Sequence, residues 1–159
     1  MKLHIIAAMT KNRVIGLNGK LPWSLPEDMK LFKELTTGNT VIMGKNTWLS
    51  IPEKFRPLTN RTNLIVSSTL KQQSGVKVCK NINEAVNEAK KEGKDAYFIG
   101  GAQIYAEALK LADTLHISLV KENYIGDTFF PEINFEEWEE IDTKEKEGFT
   151  YKKYERKRN

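Results

Sequence analysis

Apolar positions recur along this chain in two rhythms, and the switching between them predicts the fold. Short, partly β-branched runs at 3–9, 40–43, 63–66, 76–79, 96–99 and 114–120 read as strands, several of them apolar on both faces. Between them, apolar residues return at helical spacing over 26–35, more briefly over 47–51, over 82–91 (Ile82, Ala85, Val86, Ala89) and over 103–111. Strand and helix alternate, so a mostly parallel sheet covered on both faces is expected. The tail differs: 138–142 and 149–155 flank the charged segment 144–148 and read as a closing antiparallel hairpin. Its alternation of Tyr151, Lys153 and Glu155 with Lys152 and Tyr154 looks like a solvated edge strand. The expected fold class is α/β: a single-domain, three-layer αβα arrangement over 1–159, with a mixed, mainly parallel central sheet closed by an antiparallel C-terminal hairpin.

The helix predicted from Pro26 carries a charge in an unusual place. At about 100° per residue and with Asp28 at zero, Phe32 falls near about +40°, Leu35 near about −20° and Leu31 near about −60°. Lys30 and Lys33 point away, and Glu27 lies with Glu34 on the flank. Asp28 thus sits mid-stripe among apolar neighbours. Burial raises a carboxyl pKa while the first helical turn favours the anion; a carboxyl held between these effects and reachable by ligand suits protonation chemistry near neutral pH. On this stretch alone a helix-capping role for Asp28 stays open.

A chain of 159 residues with 40% hydrophobic content suffices for one compact domain with a core and a ligand cleft. No apolar run is long enough to cross a bilayer, and the first nine residues read as a strand rather than a signal peptide. The cytoplasm is therefore the expected compartment. A lone cysteine, Cys79, makes neither an internal disulfide nor a thiolate metal cluster. His4 and His116 lie in predicted strands without metal-site spacing and read as structural, so no metal is expected. The formal charge of +4 lies partly in the tail, but no basic, aromatic-studded platform accompanies it, so nucleic acid is not an expected partner. No nucleophile elbow appears either.

Three strand ends carry ligand-binding character. A buried strand runs into Gly100-Gly101 and then a helix, leaving backbone open to a phosphate, although G-x-G-x-x-G is absent and such a pair by itself is more often a plain tight turn than a cofactor site. Gly44-Lys45-Asn46-Thr47 and Val66-Ser67-Ser68 end two other strands in a cation and hydroxyls. In a parallel sheet such ends gather at the carboxyl edge, which suggests an extended, phosphate-bearing ligand. The glycine-bearing segment 12–22 reads as a lid or as an ordinary surface connection. Arg56 and Arg61 are candidates for binding a carboxylate bidentately, or merely face solvent.

Ile6-Ala7-Ala8, Val14-Ile15-Gly16, Leu21-Pro22-Trp23, Leu25-Pro26-Glu27-Asp28, Val41-Ile42-Met43-Gly44, Thr47-Trp48, Ile99-Gly100-Gly101 and Gly126-Asp127-Thr128-Phe129-Phe130-Pro131, in this order and spacing, resemble the bacterial type of dihydrofolate reductase. The match covers essentially the whole chain. The resemblance implies hydride transfer from NADPH to the pterin ring of dihydrofolate, with a proton supplied at the neighbouring ring nitrogen. It implies a catalytic set of Asp28, Trp23 and Leu21, with Asp28 on the amino-pyrimidine edge and Trp23 and Ser118 ordering the network. Ser118 stands where relatives often carry threonine. Ile6, Ala7, Met29, Phe32, Ile51, Leu58 and Ile99 would wall the substrate pocket, and Arg61, with Arg56, would bind the glutamate carboxylates.

For the cofactor, the resemblance implies that Ala8 and Ile15 meet the nicotinamide carboxamide and that Gly16, Leu17, Asn18, Gly19, Lys20 and Leu21 close over it. Gly100, Gly101, Ala102, Gln103, Ile104 and Tyr105 would cradle the pyrophosphate and ribose. Gly44, Lys45, Asn46 and Thr47, together with Val66, Ser67, Ser68 and Lys80, would surround the adenosine end and its 2′-phosphate, favouring NADPH over NADH. Lys45 occupies a position that is often arginine, so the bidentate fork is lost; Gln103 stands where some relatives carry a cation, and Ala102 where some carry a third glycine. A monomer is the expected assembly. Rival readings are a same-fold reductase acting on a pyrimidine intermediate of riboflavin synthesis, and a non-catalytic nucleotide-binding module.

Overall fold

The structure, a computed structural model, describes residues 1–158. Its elements run β1 (Leu3–Thr10), β2 (Val14–Gly16), α1 (Pro26–Thr36), β3 (Thr40–Gly44), α2 (Lys45–Ser50), β4 (Thr62–Val66), β5 (Lys77–Cys79) and α3 (Ile82–Glu92). They continue with β6 (Ala96–Phe98), α4 (Ala102–Ala108), β7 (Thr114–Val120), β8 (Thr128–Phe129), β9 (Trp138–Glu145) and β10 (Phe149–Arg156). Eight strands form one sheet in the order β5-β4-β3-β6-β1-β7-β10-β9, and β2 pairs with β8 in a small second sheet. From β5 to β7 the pairing is parallel; β10 and β9 are antiparallel.

Alternation along β1 divides the core. Ile5, Ala7 and Met9 join Phe98, Leu115, Ile117 and Phe130 under α3 and α4, whereas Ile6 joins Val41, Met43, Trp48, Ile65 and Tyr97 on the other face. Central strands covered on both faces explain their near-continuous apolar runs. Asn81 caps α3 by accepting from the Glu84 N–H at 2.8 Å, and Gly93 ends it in the left-handed conformation. Helix α1 has Pro26 in its first turn and no side-chain cap.

The predicted strands and helices form within a few residues of their expected ends. Helix α2 begins earlier, at Lys45, and α4 is shorter, ending at Ala108. The pair β2 and β8 was not expected, since segments of three and two residues carry no readable period. The solvated-edge reading of 149–155 is corrected: β10 lies inside the sheet between β7 and β9, and Tyr151 and Tyr154 are buried. Its lysines misled because one of them, Lys152, reaches outward to Glu140 of β9 at 2.9 Å. β9, with Ile141 partly exposed among charges, is the true edge.

The two histidines also meet. His4 Nδ1 lies 3.0 Å from His116 Nε2, His4 Nε2 lies 2.8 Å from Asp95 Oδ2, and His116 Nδ1 lies 2.7 Å from the Tyr151 hydroxyl. Tyr97 stacks on His4 with centroids 4.3 Å apart. The structural reading of both residues holds, as a cross-sheet polar ladder. Among the described residues no cluster of His, Cys, Asp and Glu could hold a metal ion.

Candidate functional site

Helix α1 lies over the β1 side of the sheet with its apolar stripe only half covered. Leu31, Phe32 and Leu35 are half-buried, Met29 is 61% exposed, and Thr36 alone in the helix is buried. An apolar helix face left this open is available to a ligand. Asp28 sits on that stripe, as the spacing predicted, and its Oδ1 accepts a hydrogen bond from Ser118 Oγ of β7 at 2.7 Å. The carboxylate does not cap the helix, because the capping residue is Leu25, whose carbonyl accepts the N–H groups of Asp28 and Met29, both at 3.1 Å. Burial raises the Asp28 pKa from its ordinary value, and the Ser118 hydrogen bond offsets part of that rise. Five residues before Asp28, ahead of the helix, Trp23 is buried against Val14 and Val120; its ring meets Tyr124 at 5.5 Å and its Nε1 has no protein hydrogen-bond partner.

Around the carboxyl edge, backbone contacts draw the strand ends together. The Gly44 N–H donates to the Gly100 carbonyl at 2.8 Å, and the Ser67 N–H donates to the Cys79 carbonyl at 2.8 Å. Gly100 has φ +123°, and a Cβ there would stand 3.3 Å from the Tyr105 hydroxyl oxygen and 3.4 Å from Thr47 Oγ1. Tyr105 itself is buried and donates to the Ile6 carbonyl at 2.9 Å, tying α4 to β1. Burial and the nearby Asp28 charge both push the Tyr105 pKa up, so its hydroxyl stays protonated. Lys45 Nζ donates to Thr69 Oγ1 at 3.2 Å, beside Ser67, whose own hydroxyl accepts the Thr69 and Leu70 N–H groups.

The segment 17–25 is strapped from outside. Asp127 Oδ2 accepts the Asn18 N–H at 3.0 Å, and the Asp127 N–H donates to the Gly16 carbonyl at 3.0 Å. At the far end of α1, Arg61 donates to Thr36 Oγ1 at 3.0 Å and lies 6.0 Å from the Phe32 ring centroid. Arg56 instead stacks over Trp48, 5.3 Å from its ring.

A family model described as dihydrofolate reductase matches residues 2–158. The chain belongs to the dihydrofolate reductase family. It is 40% identical over 139 residues to the dihydrofolate reductase of Haemophilus influenzae, covering 87% of this chain and 84% of that one. It is 41% identical over 132 residues to that of Buchnera aphidicola, covering 83% and 80%. A solved structure of dihydrofolate reductase from Enterococcus faecalis, complexed with NADP(H) and RAB-propyl, superposes with a TM-score of 0.88 at 36% identity, covering 98% of this chain and 96% of that one.

The residues expected of a dihydrofolate reductase cofactor site fit a dinucleotide. A bare-backbone cradle at Gly44, Gly100 and Gly101 is bordered by Thr47 and Ile104, and a Cβ on Gly44 would stand 3.3 Å from Ile104 Cγ1. Lys45 supplies a cation next to the hydroxyls of Ser67 and Thr69. Not every expected residue is drawn in by a contact: Ser68, Lys80, Asn46 and Gln103 are exposed, as are Asn18, Gly19, Lys20 and Leu21 in the connection after β2. Ala8, Ile15, Leu17, Val66 and Ala102 are half-buried, as are Ile51, Leu58 and Ile99, the residues expected to wall the substrate pocket; Ala7 is buried. Sequence reasoning missed Thr36, which holds Arg61, Thr69, which holds Lys45, and Tyr124, which packs on Trp23. Asp127 carried family resemblance but no role. None bears a local signal, because each acts across the fold.

Proposed function

We propose that the cleft between α1 and the carboxyl edge of the sheet reduces dihydrofolate, with Asp28 promoting protonation of the pterin. As a member of its family the chain is an NADPH-dependent oxidoreductase that converts 7,8-dihydrofolate to 5,6,7,8-tetrahydrofolate. NADPH, when bound, supplies the hydride. The chain's own residues have the remaining tasks. Asp28 holds the amino-pyrimidine edge and, with burial raising its pKa above the ordinary carboxyl value, promotes protonation of the pterin. Ser118 orients that carboxyl by donating to Oδ1, which leaves Oδ2 for substrate. Trp23 offers an unpaired buried N–H to the same network. Phe32 and the apolar flank of α1 wall the ring, and Arg61, braced by Thr36, takes the glutamate carboxylate. Tyr105 and the paired glycines shape the nicotinamide and pyrophosphate site, Lys45 and Ser67 the 2′-phosphate site, and 16–21 the lid.

The observation that carries this reading is the half-buried Asp28 carboxyl bonded to Ser118 at 2.7 Å on the open apolar face of α1. A pyrimidine reductase of the same fold has no use for Arg61 placed to meet a glutamate tail, and a non-catalytic module would bind NADPH without consuming it. The test is loss of NADPH absorbance on adding dihydrofolate, run beside NADH. Dihydrofolate-dependent oxidation that favours NADPH is expected; binding of NADPH without oxidation would overturn the assignment. Asp28→Asn is expected to keep NADPH binding and to slow turnover by about a hundredfold or more at neutral pH, with the residual rate falling as pH rises because protonation is left to solvent.

No helix among the described residues is long and apolar enough to cross a membrane. The chain acts, on this reading, as a cytoplasmic monomer with one domain over 1–159 and small-molecule partners only, without nucleic acid or membrane. Its single buried thiol, Cys79, and the absence of a basic aromatic platform in the sequence support this.

A further inference from the structure

The Asp28–Ser118 hydrogen bond joins the start of α1 to the end of β7, two elements ninety positions apart in sequence. A third segment holds both of them. In the turn between β9 and β10, the Glu147 N–H donates to Glu27 Oε2 at 3.3 Å, which fastens the turn to the first turn of α1. The next residue, Gly148, accepts the Lys121 N–H at 2.9 Å, and Phe149 and Tyr151 pair with Val120 and Ser118, which fastens the same turn to β7. Gly148 has φ +86°, a conformation that suits glycine, but this is not all that its lack of a side chain allows. A Cβ at Gly148 would come within 2.6 Å of Leu25 Cδ2. Leu25 is the capping residue of α1, its carbonyl holds the Asp28 N–H, and its side chain packs with Val14, Trp23 and Val120.

We propose that Gly148 is a positioning residue for dihydrofolate reduction: by leaving room for Leu25 it lets the β9–β10 turn close on the start of α1 and so sets the distance between the Asp28 carboxyl and the Ser118 hydroxyl. The inference rests on the reading of Asp28 as the proton-promoting group. A Cβ at Gly148 must displace either the turn, which is bonded to β7, or the end of the Leu25 side chain, which packs with Val14, Trp23 and Val120 beside the start of α1. On this proposal the added atom pushes the turn and the start of α1 apart and so lengthens the bond that orients the catalytic carboxyl, and a misplacement of about 1 Å is enough to slow a positioned reaction by about one or two orders of magnitude. Lengthening it also removes the one interaction that lowers the Asp28 pKa.

The test uses Gly148→Asn, because asparagine tolerates left-handed backbone and so isolates the added Cβ, together with Gly148→Ala. Each is also combined with Leu25→Ala, which removes the overlap and keeps the protein assayable if a single variant folds poorly. Three quantities are read: dihydrofolate turnover against pH, NADPH affinity, and the titration midpoint of the Asp28 carboxyl by carbon NMR in the ligand-free protein. The expected result is a turnover loss of about tenfold, upward shifts of the pH profile and the Asp28 midpoint, unchanged NADPH affinity, and recovery on adding Leu25→Ala, measured against Leu25→Ala alone. An unmoved Asp28 midpoint, or a loss shared by NADPH affinity and not relieved by Leu25→Ala, would overturn the proposal. Should Asp28→Asn retain full turnover, the catalytic role of Asp28 falls, while the midpoint in the ligand-free protein still decides whether Gly148 positions it.

Discussion

At the scale of single residues, the chemistry turns on one carboxyl that the protein holds at a cost. Burial is the larger influence on Asp28 and raises its pKa above the ordinary 3.8; the Ser118 bond works against it. A carboxyl whose pKa is raised on folding costs the protein stability as pH climbs from its unfolded value through its folded one, so the penalty is absent at low pH and grows as pH rises. Asp28→Asn is therefore expected to raise stability at pH 7 by about 0.5–2 kcal/mol while slowing turnover, the usual trade at a strained active site; urea midpoints at pH 7 and at pH 3 check it, the gain vanishing at the lower pH. Ser118→Ala removes the donor that favours the anion, so the pH–rate profile of kcat/KM should shift to higher pH. A downward shift would mean that Ser118 does not donate to the ionised carboxyl. Neither effect could be sized from sequence, since spacing placed Asp28 on the apolar face but said nothing of a partner ninety positions later.

At the scale of elements, the ladder across β6, β1, β7 and β10 shows how buried polar groups are satisfied between strands. With Asp95 as the terminal acceptor and both imidazoles neutral, one arrangement serves every contact: Tyr151 O–H donates to His116 Nδ1, His116 Nε2–H to His4 Nδ1, and His4 Nε2–H to Asp95. Burial lowers the pKa of His116 to about 3 and also lowers that of His4, which the Asp95 carboxylate partly restores. Burial opposes ionisation of Asp95, but the Lys2 N–H and His4 outweigh it and hold its pKa low. Lys2 and Lys153 disfavour protonation of His4, Lys153 that of His116, and burial, aided by Asp142, pushes Tyr151 up to about 12. The unfolded chain takes up protons near pH 6.5 while the folded histidines resist, so stability should be greatest above that value and fall as pH drops towards about 3, with Asp95 adding to the loss. Tyr151→Phe leaves His116 Nδ1 buried without a donor and is expected to cost about 1–3 kcal/mol at pH 7 by denaturant unfolding. A neutral result would show that the hydroxyl is dispensable to the ladder.

At the scale of the whole molecule, β1 at the chain's start pairs with β6 and β7, so the centre of the sheet closes only when distant segments meet. Such a topology ties both core clusters to one strand and predicts cooperative unfolding. Ile5→Ala, at a fully buried position in β1, should lower stability by about 2–5 kcal/mol, with circular dichroism and tryptophan fluorescence midpoints moving together; divergence of the two would mean that the flanks of the sheet unfold separately. The sequence by itself determined what depends on local period: the alternation of strands and helices, the parallel character of strands apolar on both faces, and the placement of Asp28 on the apolar side of α1. Side-chain direction along one element follows from residue spacing alone, so these features needed no partner to be read. Only the tertiary structure decided strand order and register, and with them that β10 is internal, that Ser118 reaches Asp28, that His4 meets His116, and that Gly148 faces Leu25. An alternating strand looks the same inside a sheet as at its edge, and contacts across about a hundred residues depend on how whole elements pack, which no local window of sequence records.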